Sequence, residues 1–144
     1  MAQTNEPLLS VKGLKQYFPV SKKFTVRAVD NISFDIYPGE TYGLVGESGS
    51  GKSTTGRSII RLYDPTEGTI LFNGEDISKK LTAKQEKMLR SDMQMVFQDP
   101  MASLNPHKKI LDTIAMGLDA HHPHMDQKER VERVSKMMEM VGLN

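Results

Sequence analysis

Gly46-Glu47-Ser48-Gly49-Ser50-Gly51-Lys52-Ser53-Thr54 runs as glycine, four residues, glycine, lysine, then hydroxyl residues, which is the spacing of a phosphate-binding P-loop. A polyphosphate is wrapped closely only by a backbone that turns sharply and keeps side chains out of the way, and Gly46, Gly49 and Gly51 allow that. Successive amide N–H groups then form an anion nest, to which a helix beginning near Lys52 adds its unpaired amides and the positive end of its dipole. Lys52 offers a point charge to the β- and γ-phosphates of a nucleotide. The Ser53 hydroxyl is placed to ligate a Mg²⁺ bridging the same phosphates. Glu47 is the odd member, since a carboxylate among phosphates repels them. Its side chain is expected to point away from the ligand.

The flanking pattern decides whether the spacing carries chemistry. Residues 42–45 read as a short apolar strand entering the loop, and residues 54–62 as a helix leaving it, so strand, loop and helix come in the required order. A glycine-rich turn followed by chance by Lys-Ser would not need either flank.

A chain of 144 residues is expected to be one domain with a real core. With 19 basic and 18 acidic residues its formal charge is +1, which gives no electrostatic reason to expect nucleic acid or an anionic membrane as the main ligand. There is no cysteine, so disulfides and thiolate metal sites are excluded from these residues. The first residues lack a basic and an apolar targeting region. Apolar runs elsewhere are too short to span a bilayer, and any membrane connection is expected to pass through a protein partner.

Residues 8–18 and 27–37 each read as a strand; in the second, Ile32, Phe34 and Ile36 alternate with Asn31, Ser33 and Asp35. Asp64-Pro65-Thr66-Glu67-Gly68 breaks the helix after the loop. A hairpin follows, with strands at 69–72 and 76–77 joined through Asn73-Gly74. Thr82 with Gln85 forms a capping-box pattern for a helix carrying Met88 and Leu89. Residues 93–97 read as a buried strand. Beyond them Ile110, Leu111, Ile114 and Leu118 recur at helical spacing, as do Val131, Val134, Met138 and Val141. Asp126 with Glu129 is the expected cap of the second helix and Gly142 its stop. His121-His122-Pro123-His124 lies between them; a proline-broken linker does not set metal geometry, and no carboxylate or thiolate cluster supports one.

Three stretches together carry a resemblance: Gly46 to Thr54; Gln94-Met95-Val96-Phe97-Gln98-Asp99-Pro100; and Ala102-Ser103-Leu104-Asn105-Pro106. They are similar to the ATPases of ABC transporters, and Arg27-Ala28-Val29-Asp30 with Gly51-Lys52-Ser53-Thr54-Thr55-Gly56-Arg57 brings the likeness closest to the F-type ATPase of bacterial oligopeptide and dipeptide importers. His107-Lys108 departs from that pattern, where arginine and an apolar residue are more usual. The resemblance implies an α/β P-loop core with an N-terminal antiparallel β-layer, residues 1–100 reaching the Q-loop and residues 101–144 beginning a helical subdomain. It implies that Gln98 is the Q-loop glutamine, reaching Mg²⁺ and the attacking water, and that Tyr17 stacks on adenine, with Phe18 able to exchange roles with it.

The implied activity is MgATP binding and hydrolysis that powers peptide import. The implied partners are a second, D-type ATPase subunit in a head-to-tail dimer, two transmembrane permease subunits and, indirectly, an extracytoplasmic peptide-binding protein. The implied location is the cytoplasmic face of the bacterial plasma membrane. An ABC ATPase without a membrane partner is the alternative. Family members also carry a Leu-Ser-Gly-Gly-Gln signature, a magnesium-supporting Asp, a catalytic Glu and a switch His; these 144 residues contain none of them, as expected of the N-terminal part of a longer protein that binds nucleotide without turning it over.

Overall fold

The computed structural model describes residues 6–97 and 104–143. The chain divides into two compact units, Met1–Met95 and Val96–Asn144.

In the first unit, strands β1 (Leu9–Ser21), β2 (Phe24–Ile36), β3 (Glu67–Phe72) and β4 (Glu75–Asp76) form one antiparallel sheet in the order β2-β1-β3-β4. Alternating apolar residues bury one face of it: Leu9, Val11, Leu14, Val29, Ile70 and Phe72 enter the core with Ile77, and Ile32, Phe34 and Ile36 pack against them. The alternation changes phase inside β1, from Leu9 and Val11 to Leu14 and Gln16. An irregularity in both ladders falls there, at Gly13 (φ +58°), beside Asn31 (φ 59°) of β2. Gly68 of β3 lies so close to this bulge that a Cβ would stand 2.5 Å from the Gly13 carbonyl oxygen. Asn73 and Gly74, at φ 51° and 78°, close the β3–β4 turn as their residue types predict.

Helix α1 (Lys52–Ile59) begins directly after the glycine loop and is shorter than the expected 54–62. It ends where Arg61 adopts φ 59°, and the Arg61 guanidinium then donates to the Ile77 and Lys79 carbonyls and to Asp64. This ties the helix end to the segment after β4. Helix α2 (Ala83–Asp92) carries the full capping box, Thr82 Oγ1 accepting from the Gln85 amide while the Gln85 side chain accepts from the Thr82 amide. Such a cap contributes about 1 kcal/mol, and Leu89 carries the helix into the core.

Two expected strands do not form. Residues 42–45 and 93–97 have no ladder pairing, and Val45 (91%) and Val96 (97%) stand almost fully exposed. A central parallel strand takes its backbone bonds from neighbours on both sides, and among the described residues the only sheet is the antiparallel one. Tyr42 instead lays its ring on Phe34, centroids 4.8 Å apart.

In the second unit, helices α3 (Ile110–His121) and α4 (Gln127–Met140) pack together around Ala115 and Val134. Leu111, Ile114 and Leu118 lie on the partly buried side; Ile110, Val131 and Val141 are exposed, so the inward stripe is narrower than the spacing suggested. Asp126 occupies the N-cap of α4, but its side chain makes no capping bond. Gly142 (φ 75°) stops the helix in a Schellman arrangement, its N–H donating to Glu139 O at 3.1 Å and that of Leu143 to Met138 O at 2.9 Å.

Arg130 joins the two helices by a fork to Asp119, Nε to Oδ1 at 2.7 Å and a second nitrogen to Oδ2 at 3.0 Å, and also reaches Asp112. The Arg130 hydrogen bond holds the Asp119 carboxyl below its usual range. A depressed carboxylate contributes stability that is present above the ordinary Asp value, about 3.9, and lost as the pH falls through the folded value. We expect the helicity of this unit to fall on acidification in that window, and the drop to shrink in Asp119→Asn, measured by circular dichroism; an identical profile in the variant would refute the assignment.

Candidate nucleotide-binding site

The loop between residue 46 and α1 is shaped by its glycines. Gly49 (φ 80°) and Gly51 (φ 90°) take left-handed backbone, and a Cβ on Gly51 would lie 2.2 Å from the Ala28 carbonyl oxygen and 3.6 Å from Val29 Cγ2. The loop therefore rests on β2 at backbone contact. A Cβ on Gly46 would meet Ser50 Oγ at 2.6 Å, and the Ser50 amide closes a turn onto the Glu47 carbonyl at 3.2 Å.

Lys52 folds back over this turn. Its ammonium donates to Gly46 O at 2.8 Å, Glu47 O at 2.6 Å and Ser50 Oγ at 3.3 Å. Gly46, Glu47, Ser48, Gly49 and Ser50 are all exposed, as is Ser53 on the first turn of α1. The first helical bond is Thr55 N–H to Gly51 O at 2.8 Å, so the amides of Lys52, Ser53 and Thr54 have no carbonyl of their own helix to bond. No side chain caps this end and no acidic residue stands in its first turn. The positive end of the helix dipole is thus neither capped nor neutralised by its own first turn, and a lysine ammonium sits beside it: the chemistry of a phosphate cradle. The residues present fit a polyphosphate.

Helix α1 is held by polar residues that the apolar periodicity did not reveal. Thr55 Oγ1 donates to Gly51 O, and buried Ser58 donates to Thr54 O and to the buried Gln16 side chain of β1 at 3.2 Å. Small hydroxyl residues let the helix lie close on the sheet while every hydroxyl finds an acceptor. On the other side of α1, a Cβ at Gly56 would meet the Met95 methyl at 3.2 Å.

The two aromatics of β1 lie on opposite faces. Gln16, and with it Phe18 two residues on, point to the α1 side, where the Phe18 ring meets Tyr63 edge-on at 5.3 Å. Tyr17 points to the other face. Its hydroxyl donates to Asp30 at 2.5 Å, and the Arg27 guanidinium covers its ring at 5.5 Å. The hydrogen bond to Asp30, with burial, pushes the phenol's pKa up. Tyr17 is thus on the face opposite Phe18 and engaged with Asp30 and Arg27. The one-residue phase of the strand, altered by the bulge at Gly13, is what sequence reading could not fix. Gln98 lies outside the described residues.

An antiparallel β-layer beside a glycine loop that opens a helix defines a P-loop nucleotide-binding protein of α/β class. The sequence profile described as ABC transporter matches residues 29–144, and the chain belongs to that family. It is 57% identical over 139 residues to the oligopeptide transport ATP-binding protein OppF of Bacillus subtilis (strain 168), covering 96% of this chain and 45% of that protein. It is 47% identical over 139 residues to the dipeptide transport ATP-binding protein DppF of Lactococcus lactis subsp. cremoris (strain MG1363), covering 95% of this chain and 44% of that protein. Among solved structures, the ATP-binding cassette MJ0796, in a dimeric post-hydrolysis state bound to ADP and Pi, superposes with a TM-score of 0.80 at 26% identity, covering 94% of this chain and 58% of the other. The chain spans less than half the length of these curated relatives. Among the described residues no helix is long and apolar enough to cross a membrane.

Proposed function

We propose that this chain is the MgATP-binding part of an ATPase subunit that powers peptide import. The observation that carries it is the Lys52 ammonium, 2.8 and 2.6 Å from the Gly46 and Glu47 carbonyls, beside the uncapped start of α1. Gly46 to Thr54 wrap the phosphates, with Lys52 on the β- and γ-phosphates and the Ser53 hydroxyl toward magnesium. A magnesium held through Ser53 would supply charge neutralisation at the phosphates. Phe18 covers the base, and Gln98 acts beside the metal and the attacking water. Residues 101–144 begin a helical subdomain.

A place in a wider assembly is supported by the relatives' printed names, which describe oligopeptide and dipeptide transport ATP-binding proteins. In it the subunit pairs head to tail with a second ATPase on the cytoplasmic face of the membrane, beneath two permease subunits supplied by a peptide-binding protein. The 144 residues alone bind nucleotide without hydrolysing it, because Gln98 is neutral and a poor base, and no catalytic carboxylate has been assigned among them.

Titration of MgATP against the chain tests the site. Base–aromatic stacking contributes about 1–3 kcal/mol, so Phe18→Ala is expected to weaken ATP and GTP alike by roughly five- to 150-fold, while Tyr17→Ala changes affinity little. The reverse result would move the base to the other face of β1. Phosphate release is expected to stay at the level of a Lys52→Ala control; repeated turnover would show that these residues suffice for hydrolysis.

A further inference from the structure

We propose that the tip of the β1–β2 hairpin docks directly on an anionic lipid surface, a contact that does not rest on the nucleotide reading. The third strand pairs with β1 only as far as Lys15 opposite Glu67, so beyond that point the hairpin stands as a two-stranded ribbon. Residues 19–27 are all exposed. Phe18 is paired with Val26 and Ser21 with Phe24, so Phe24 and Val26 share one face, and Val20 stands at the irregularity where the ladder slips between Pro19 and Ser21. Val20 is 65% and Phe24 59% exposed.

The turn between the strands is Lys22-Lys23, with Ser21 Oγ accepting from the Lys23 amide. Residues 18–29 carry three cations and no acid. Arg27 is committed to Asp30 and the Tyr17 ring, whereas Lys22 and Lys23 make no ion pair among the described residues. The ribbon therefore presents an apolar strip ending in two free ammonium groups.

A partner for this tip must offer apolar depth immediately beside negative charge. The boundary between acyl chains and anionic headgroups does so: Phe24 and Val26 enter the apolar layer while the lysines reach along their stems to the headgroups. Nucleic acid would match the lysines and leave the valines in water.

The test is flotation of the chain with phosphatidylcholine vesicles, with and without phosphatidylglycerol. Binding is expected only when phosphatidylglycerol is present. Each lysine near such a surface contributes about 1 kcal/mol, so Lys22→Gln/Lys23→Gln should lower partition roughly 30-fold, and Phe24→Ser should lower it several-fold. Lys84→Gln/Lys87→Gln, which removes the same charge from exposed positions of α2, should leave it unchanged. Equal loss in that control, indifference to phosphatidylglycerol, or full binding by Phe24→Ser would overturn the proposal. So would tip variants that lose permease subunits in detergent yet float like the parent, which would make the partner a protein. Unchanged thermal unfolding of each variant establishes that the fold is kept.

Discussion

Lys52→Ala is expected to lower ATP affinity by about ten- to 150-fold, the range that corresponds to losing a charge-assisted contact of roughly 1.5–3 kcal/mol. The contact geometry adds a second loss. The ammonium holds the Gly46 and Glu47 carbonyls, so its removal leaves the loop less ordered for phosphate. Isothermal titration separates the two effects, because Lys52→Arg restores charge without the compact three-donor geometry and should recover only part of the affinity. Unchanged binding in Lys52→Ala would sink the assignment of the loop.

Gly51→Ala is expected to be more damaging, since it acts on fold and site together. The residue sits at φ 90°, where an L side chain costs about 1–3 kcal/mol. The added methyl would also lie 2.2 Å from the Ala28 carbonyl oxygen, and backbone cannot swing aside as a side-chain end can. Displacing the loop from β2 adds about 1–3 kcal/mol of overpacking. We expect a loss of about 2–6 kcal/mol in urea unfolding of the first unit and no measurable ATP binding in what remains folded. An alanine variant within 1 kcal/mol of the parent would show that the loop does not rest on β2 as described.

The glycine loop, the helix after it, the capping box at Thr82 and the Asn73-Gly74 turn were legible because each is set by local chemistry: positive φ angles, an uncapped amide, a hydroxyl three residues before the amide it accepts from. The strands expected at 42–45 and 93–97 were not, because apolar character says only that a segment can be buried, and pairing depends on neighbours elsewhere in the chain. The buried contact between Ser58 and Gln16 left no apolar signal to read. Which face Tyr17 and Phe18 each take depends on the phase of a strand, which a single irregular residue reverses.

That last dependence makes β1 behave like a parity code. Counting from Leu9, alternate residues enter the core, Leu9 and Val11 and then Leu14 and Gln16, and Gly13 is where the count first skips. A substitution beyond the skip alters one side chain, whereas deleting one residue at it would exchange the faces of the positions from Leu14 to Phe18, before the ladder slips again ahead of Ser21. Tyr17 would then lie on the α1 side and the buried amide of Gln16 would face water, with no change in the composition of the strand. Over evolutionary time such a segment should accept replacements freely and length changes hardly at all, the opposite of what is expected of the surface hairpin it leads into.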